Sequence, residues 1–159
     1  MASRASSETG IDCRDVAVCT CLGLRRVGRM TTQMFDAHLQ PAGLTIGQFG
    51  LLTQIYVSAT WGPPMTMKAL SSAVGMDPTT LNRTLKPLEA EKLIRTAPDA
   101  QDRRARCIHI TASGRKRLER AMPLWRAADE ELRRTVGAET KLALSGLLGL
   151  ATQKLRKSE

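Results

Sequence analysis

Several side chains in the middle of this 159-residue chain are of types that read nucleic acids. Asn82 and Arg83 carry the amide and guanidinium groups that make paired hydrogen bonds with base edges in a major groove. Thr79, Thr80 and Lys86 lie close by in sequence, and their donors serve bases or phosphates alike. Arg103 and Arg104 suit the negative potential of a narrow minor groove. The charge distribution points the same way. The chain holds 24 Lys and Arg against 15 Asp and Glu, a formal +9, and residues 83–120 alone carry 11 basic and 5 acidic groups. Neutralising a polyanion requires such clustering. A basic stretch also reads as a solvated face, so the pattern inside it must decide.

No other chemistry competes. There is no Gly-rich phosphate loop, no Ser-His-Asp spacing and no His-Glu metal motif, so the chain reads as a non-enzyme needing no cofactor. His38 and His109 are too few for a nitrogen-rich metal site, and Cys107-Ile108-His109 is a chance-level motif. With 42% hydrophobic and 25% charged residues the composition is that of a globular protein. No apolar run approaches the ~18 residues of a membrane span, and the opening MASRASSETGIDCRD lacks the apolar core of a secretory signal. The expectation is a cytoplasmic protein without membrane association. In that compartment Cys13, Cys19, Cys21 and Cys107 read as thiols rather than a disulfide framework.

The elements that would position these residues follow from periodicity and punctuation. Residues 1–12 are small, polar and aperiodic, and read as a mobile tail. Val16, Leu24, Val27, Met30, Met34 and His38 recur at roughly helical spacing up to Leu39, before Pro41 and Gly43 break the chain. Thr45 and Gln48 have capping-box spacing and open a second helix running to about Ser58. Trp61-Gly62-Pro63-Pro64 reads as a turn, and residues 65–67 as a very short strand. A short third helix carries Leu70 and Val74 and ends at Gly75. Asp77-Pro78 then starts a fourth, because an aspartate cap accepts orphan amides and proline at the first position has no donor to waste. Leu81, Leu85 and Leu88 form its apolar stripe, with Thr79, Asn82, Arg83 and Lys86 on the other side. Pro87 should bend its last turn without stopping it. Residues 93–97 and 105–110 read as the strands of a hairpin with a basic tip. Thr111 opens a long helix through Leu118, Met122, Trp125, Leu132 and Val136, which Asp129 interrupts and Pro123 should kink. Gly137 ends it, and a last helix carries Leu144, Leu147, Leu148, Ala151 and Leu155.

Helix, short helix, tight turn, helix and hairpin, in that order, is the layout of a winged helix-turn-helix. One cationic helix face fits the ~12 Å major groove while the hairpin tip reaches the neighbouring minor groove. The reading is therefore a mainly α protein with a small β-hairpin, a winged helix-turn-helix domain flanked by N- and C-terminal dimerisation helices. Its expected divisions are a tail (1–12), an N-terminal dimerisation helix (13–44), the DNA-binding domain (45–111) and C-terminal dimerisation helices (112–159). Apolar seams at both chain ends would be half exposed on a lone unit, so they are expected to pair in a homodimer. Such a dimer selects double-stranded DNA with an inverted repeat.

The chain resembles the MarR (multiple antibiotic resistance regulator) family of bacterial transcription regulators from about residue 15 to 157. The resemblance is carried by Gly43-Leu44-Thr45-Ile46-Gly47-Gln48-Phe49, by residues 76–94 (MDPTTLNRTLKPLEAEKLI), by Asp99-Ala100-Gln101-Asp102-Arg103-Arg104-Ala105 and by Ile110-Thr111-Ala112-Ser113-Gly114. It implies a dimer built from the terminal helices, a recognition helix over 77–91 with Pro78, Thr79, Thr80, Asn82, Arg83 and Lys86 as DNA-facing candidates, and a wing arginine held by an aspartate. Asp102 with Arg103 or Arg104 best matches that wing. Gln101 stands where arginine or proline is frequent, which leaves open which arginine enters the groove. Similar proteins usually repress, and release DNA on binding an effector or on thiol oxidation.

Two sensors are compatible with these residues. A small apolar or aromatic effector would be lined by Met30, Met34, His38, Phe49, Tyr56 and Trp125, which read equally as plain core. A thiol sensor would use Cys13, Cys19 and Cys21, although Cys19 and Cys21 diverge if both sit inside one helix. Non-specific architectural binding of nucleic acid is the remaining alternative, and it would not require Asn82 and Arg83 to face one groove.

Overall fold

The computed structural model describes residues 14–98 and 106–156. A single 3₁₀ turn, Arg14–Val18, leads into α1 (Thr20–Leu39). Next come α2 (Ile46–Trp61), β1 (Met65–Thr66), α3 (Met67–Val74), α4 (Pro78–Ala90), β2 (Ile94–Pro98), β3 (Arg106–Ile110), α5 (Ala112–Val136) and α6 (Ala138–Arg156). The helix starts follow local chemistry. Thr45 and Gln48 form the reciprocal capping box on α2, and the Asp36 carboxylate accepts the Ile46 amide at 2.6 Å, tying α1 to the positive end of α2.

Three expectations need correction. The hairpin is part of a three-stranded antiparallel sheet of order β1–β3–β2, because Met65 pairs with Ile108 and Thr66 with Cys107. Met67 belongs to α3, whose first turn is capped by the Thr66 hydroxyl. Trp61 ends α2 rather than starting a turn, and the Ser58 hydroxyl donates to the Pro63 carbonyl to close the chain reversal. Pro87 and Pro123 both lie within helices that continue past them. At Pro87 the unserved carbonyl belongs to Arg83, a residue exposed to solvent.

One apolar core joins Leu39, Leu52, Ile55, Leu70, Leu81, Leu88, Leu93, Ile94, Ile108, Ile110 and Leu118. It therefore unites the end of α1, the helix-turn-helix, the sheet and the start of α5. The first half of α1 and all of α6 lie outside it. Leu22, Leu24, Val27 and Met30 on α1 are exposed, as are Leu142, Leu147, Leu148, Leu150 and Leu155 on α6, which buries no residue. Asp129 is half-buried and held by Lys141 at 2.6 Å, so it pins α6 to α5. Among the described residues no helix is long and apolar enough to cross a membrane.

The tightest junction is where the sheet meets α5. The Thr111 amide and hydroxyl donate to the Leu93 carbonyl at 3.0 and 3.1 Å, and the hydroxyl also reaches the Lys92 carbonyl at 2.7 Å. Gly114 sits so close that an added Cβ would lie 2.1 Å from the Leu93 oxygen and 2.8 Å from Ile110 Cγ1. Replacing Gly114 with Ala must therefore displace a bonded backbone carbonyl. We expect Gly114→Ala to lower unfolding free energy by about 2–4 kcal/mol in urea titrations, and a loss below about 0.5 kcal/mol would show that the junction yields.

Candidate nucleic-acid interface

The turn between α3 and α4 orients the recognition element. Gly75 adopts a left-handed conformation (φ +65°) that a side chain would strain, and the Met76 amide returns to the Ser71 carbonyl at 3.2 Å. Ser71 also donates its hydroxyl to the Met76 carbonyl, so three residues suffice to redirect the chain. Asp77 is the extended N-cap of α4. Its Oδ1 accepts the amides of Thr79 and Thr80 at 2.9 and 3.0 Å. The Thr80 side chain and then the Thr80 amide, with a lesser share from the Thr79 amide, hold the Asp77 carboxyl below its ordinary value despite the opposing effect of desolvation.

The apolar stripe of α4 is inside, as its spacing requires: Leu81, Leu85 and Leu88 are buried. Thr79, Asn82, Arg83 and Lys86 are exposed and fall at i, i+3, i+4 and i+7, which makes them one stripe along the helix. Pro78 is exposed at the first helical position. Thr80 is half-buried, with its amide on Asp77 and its carbonyl accepting the Thr84 hydroxyl at 2.9 Å, so it serves the cap. A helix of this length with one polar side is about 10–12 Å across and presents donors at the width of a major groove. Asp102, Arg103 and Arg104 lie outside the described residues. The wing strands add two exposed arginines that spacing alone did not single out, Arg95 and Arg106, with Arg95 opposite His109 across the β2–β3 pairing. Only the strand register identifies them.

The six effector candidates fall in several different settings among the described residues. Phe49 and Trp125 stack with ring centroids 6.1 Å apart, in and against the core. Tyr56 instead meets Trp61 edge-on and lies beneath the Arg115 guanidinium at 5.8 Å. His38 Nε2 is 2.7 Å from Glu131 Oε2, linking α1 to α5. Met34 is half-buried and Met30 exposed on the same helix. A cleft of about 650 Å³ is lined by Val16, Val18, Cys19, Leu22, Leu24 and Arg26, and none of the six reaches it. Cys19 is the extended N-cap of α1 rather than an interior helical residue, so the divergence expected within a helix does not govern its relation to exposed Cys21. Cys13 lies outside the described residues.

A capped recognition helix following a glycine turn, with a winged sheet behind it, defines a winged-helix DNA-binding transcription regulator. The comparisons agree. The family model described as MarR family matches residues 42–105. The crystal structure of the M. tuberculosis transcriptional regulator MosR in complex with DNA is 35% identical, with a TM-score of 0.72 over 87% of this chain and 98% of that one. The uncharacterized HTH-type transcriptional regulator YwaE of Bacillus subtilis is 27% identical over 78% of this chain and 70% of its own length. A mutant MarR from E. coli, complexed with operator DNA, shares the fold at 21% identity, with a TM-score of 0.76 over 89% of this chain and 99% of that one. The chain belongs to the MarR family.

The Asp77 cap makes a pH-dependent prediction. A carboxyl whose folded value lies below the ordinary 3.8 contributes stability that is present above about pH 4 and is lost as pH falls through the folded value. The melting temperature of the native chain should therefore fall more steeply on acidification than that of Asp77→Asn, whose cap does not titrate. Parallel curves would remove the carboxylate from the cap's energetics.

Proposed function

We propose that the protein is a homodimeric repressor that binds an inverted-repeat operator and is released from it by a small apolar or aromatic effector. The observation that carries this reading is the exposed stripe of Thr79, Asn82, Arg83 and Lys86 on a helix whose other face is wholly in the core. Asn82 and Arg83 read base edges there, and Thr79 and Lys86 take bases or phosphates. Pro78 and Thr80 set the helix start, while Arg95 and Arg106 add backbone contacts from the wing. By sequence, Arg103 or Arg104, oriented by Asp102, enters the minor groove. That the MosR homologue was solved with DNA supports the same use of the fold.

The dimer is supported by the apolar residues left in solvent on α1 and α6, which a second copy would cover. Two-fold symmetry then sets the two α4 helices about 34 Å apart, one turn of duplex, and repression follows from occupying the site. An effector acting between the long helices and the winged unit releases DNA only by favouring a dimer geometry in which that spacing is lost.

Two measurements test the reading. Arg83→Ala should lose about 1–3 kcal/mol of affinity for a duplex selected from genomic fragments while retaining its affinity for random duplex. Equal losses on both would assign Arg83 to phosphate and favour architectural binding. Sedimentation should give twice the chain mass for the native protein and a smaller species for Leu22→Glu combined with Leu147→Glu, whereas a native monomer would end the operator model.

A further inference from the structure

Helix α3 carries no basic residue in its own last turn, so nothing within it offsets the negative end of its dipole. The charge comes from the far end of the chain. Arg156, the last residue of α6, donates through Nη2 to the Ser72 carbonyl at 3.0 Å and the Ala73 carbonyl at 2.8 Å. These are terminal carbonyls of α3, which lack partners further along their own helix. The contact borders a cleft of about 860 Å³ that also includes Lys68, Gly75 and Asp77 on the helix-turn-helix side and Thr152 on α6.

Its consequence depends on how α6 is held. With no residue in the core, α6 is fixed near its start by the Lys141–Asp129 pair and near its end by Arg156. The opposite end of the recognition unit is separately attached to α5, through the Gly114–Leu93 approach and the Arg117–Glu91 pair at 3.0 Å. The second attachment and the shared core hold the unit against α1 and the first turns of α5, but neither includes a residue of α6. With both attachments, its angle to the α5–α6 hairpin is set.

We propose that Arg156 is a positioning residue for DNA recognition: by bonding the last carbonyls of α3 it fixes the angle between the helix-turn-helix and the C-terminal hairpin, and hence the separation of the two α4 helices. The proposal rests on the dimeric DNA-binding reading above. A guanidinium is suited to the role because it stays charged at all working pH and its donors are held in a rigid plane.

The test compares the full-length native chain with Arg156→Ala and Arg156→Lys. Amide hydrogen exchange over residues 70–77 needs no DNA; it should quicken several-fold in the alanine variant and recover in part with lysine. The second readout is affinity for the duplex selected by the native protein and for the same duplex with its half-sites moved apart by one base pair. The native chain should discriminate between the two. Arg156→Ala should bind the selected duplex about three- to ten-fold more weakly and discriminate less, with its dimer mass and circular dichroism unchanged. Unaltered exchange in the alanine variant overturns the tether. Faster exchange with native spacing preference overturns the positioning role. If the native chain selects no DNA, the functional reading fails and the positioning role with it, while the exchange result still decides the tether.

Discussion

The carbonyl of Leu93 is the point at which the DNA-reading part of the chain meets the helix that carries it away. It accepts both the amide and the hydroxyl of Thr111, and Gly114 packs against it so closely that only a residue without a side chain fits. The residues just before it are held as well. Lys92, in a left-handed conformation at φ 57°, gives its carbonyl to Thr111, and Glu91 pairs with Arg117. The ion pair is half in solvent and contributes little on its own. Backbone bonding and steric exclusion decide the geometry, so the end of α4, the start of the wing and the first turns of α5 move as one body.

From that junction the molecule divides by how its apolar surface is used. Around the helix-turn-helix, Leu39, Leu52, Ile55, Leu70, Leu81 and Leu88 are nearly or wholly buried, which gives the reading helix a rigid support. Along the first half of α1 and most of α6 the same residue types are exposed. The polar ties of these helices to the rest of the chain include Asp36 to the Ile46 amide and His38 to Glu131 at the end of α1, and Lys141 to Asp129 and Arg156 to the α3 carbonyls on α6.

Much of this was legible in the sequence wherever the determining chemistry is local. The Thr45–Gln48 box, the Gly75 stop, the Asp77-Pro78 start and the Thr111 cap each depend on residues within four positions of one another, and the structure shows all four. The Leu81, Leu85, Leu88 stripe is equally readable, and its burial leaves Thr79, Asn82, Arg83 and Lys86 on the exposed face of α4. What escaped depends on distant partners. A two-residue strand has no periodicity to detect, so β1 was seen without its pairing to β3. Trp61 resembles part of a turn because Gly62 and the two prolines follow, yet the helix runs on until the Gly62 amide bonds the Ser58 carbonyl, and Trp61 meets Tyr56 edge-on. Phe49, Trp125 and Tyr56 are alike by type, whereas the stacking of the first two on each other separates them from the third. Arg156 has no local partner in the sequence that marks it, and only the fold brings it to α3.

The short strand β1 has a bearing on how this chain can vary in length. Its register on β3 places Met65 beside Ile108 on one face of the sheet and Thr66 beside Cys107 on the other, since successive strand residues alternate between faces. Adding or deleting a single residue among Gly62, Pro63 and Pro64 would exchange those two faces or break the Ser58–Pro63 closure. Changes between β2 and β3 leave every pair of that ladder in place. The length of the α2–β1 connection is therefore fixed by the sheet itself, whereas the sheet sets no such limit between β2 and β3.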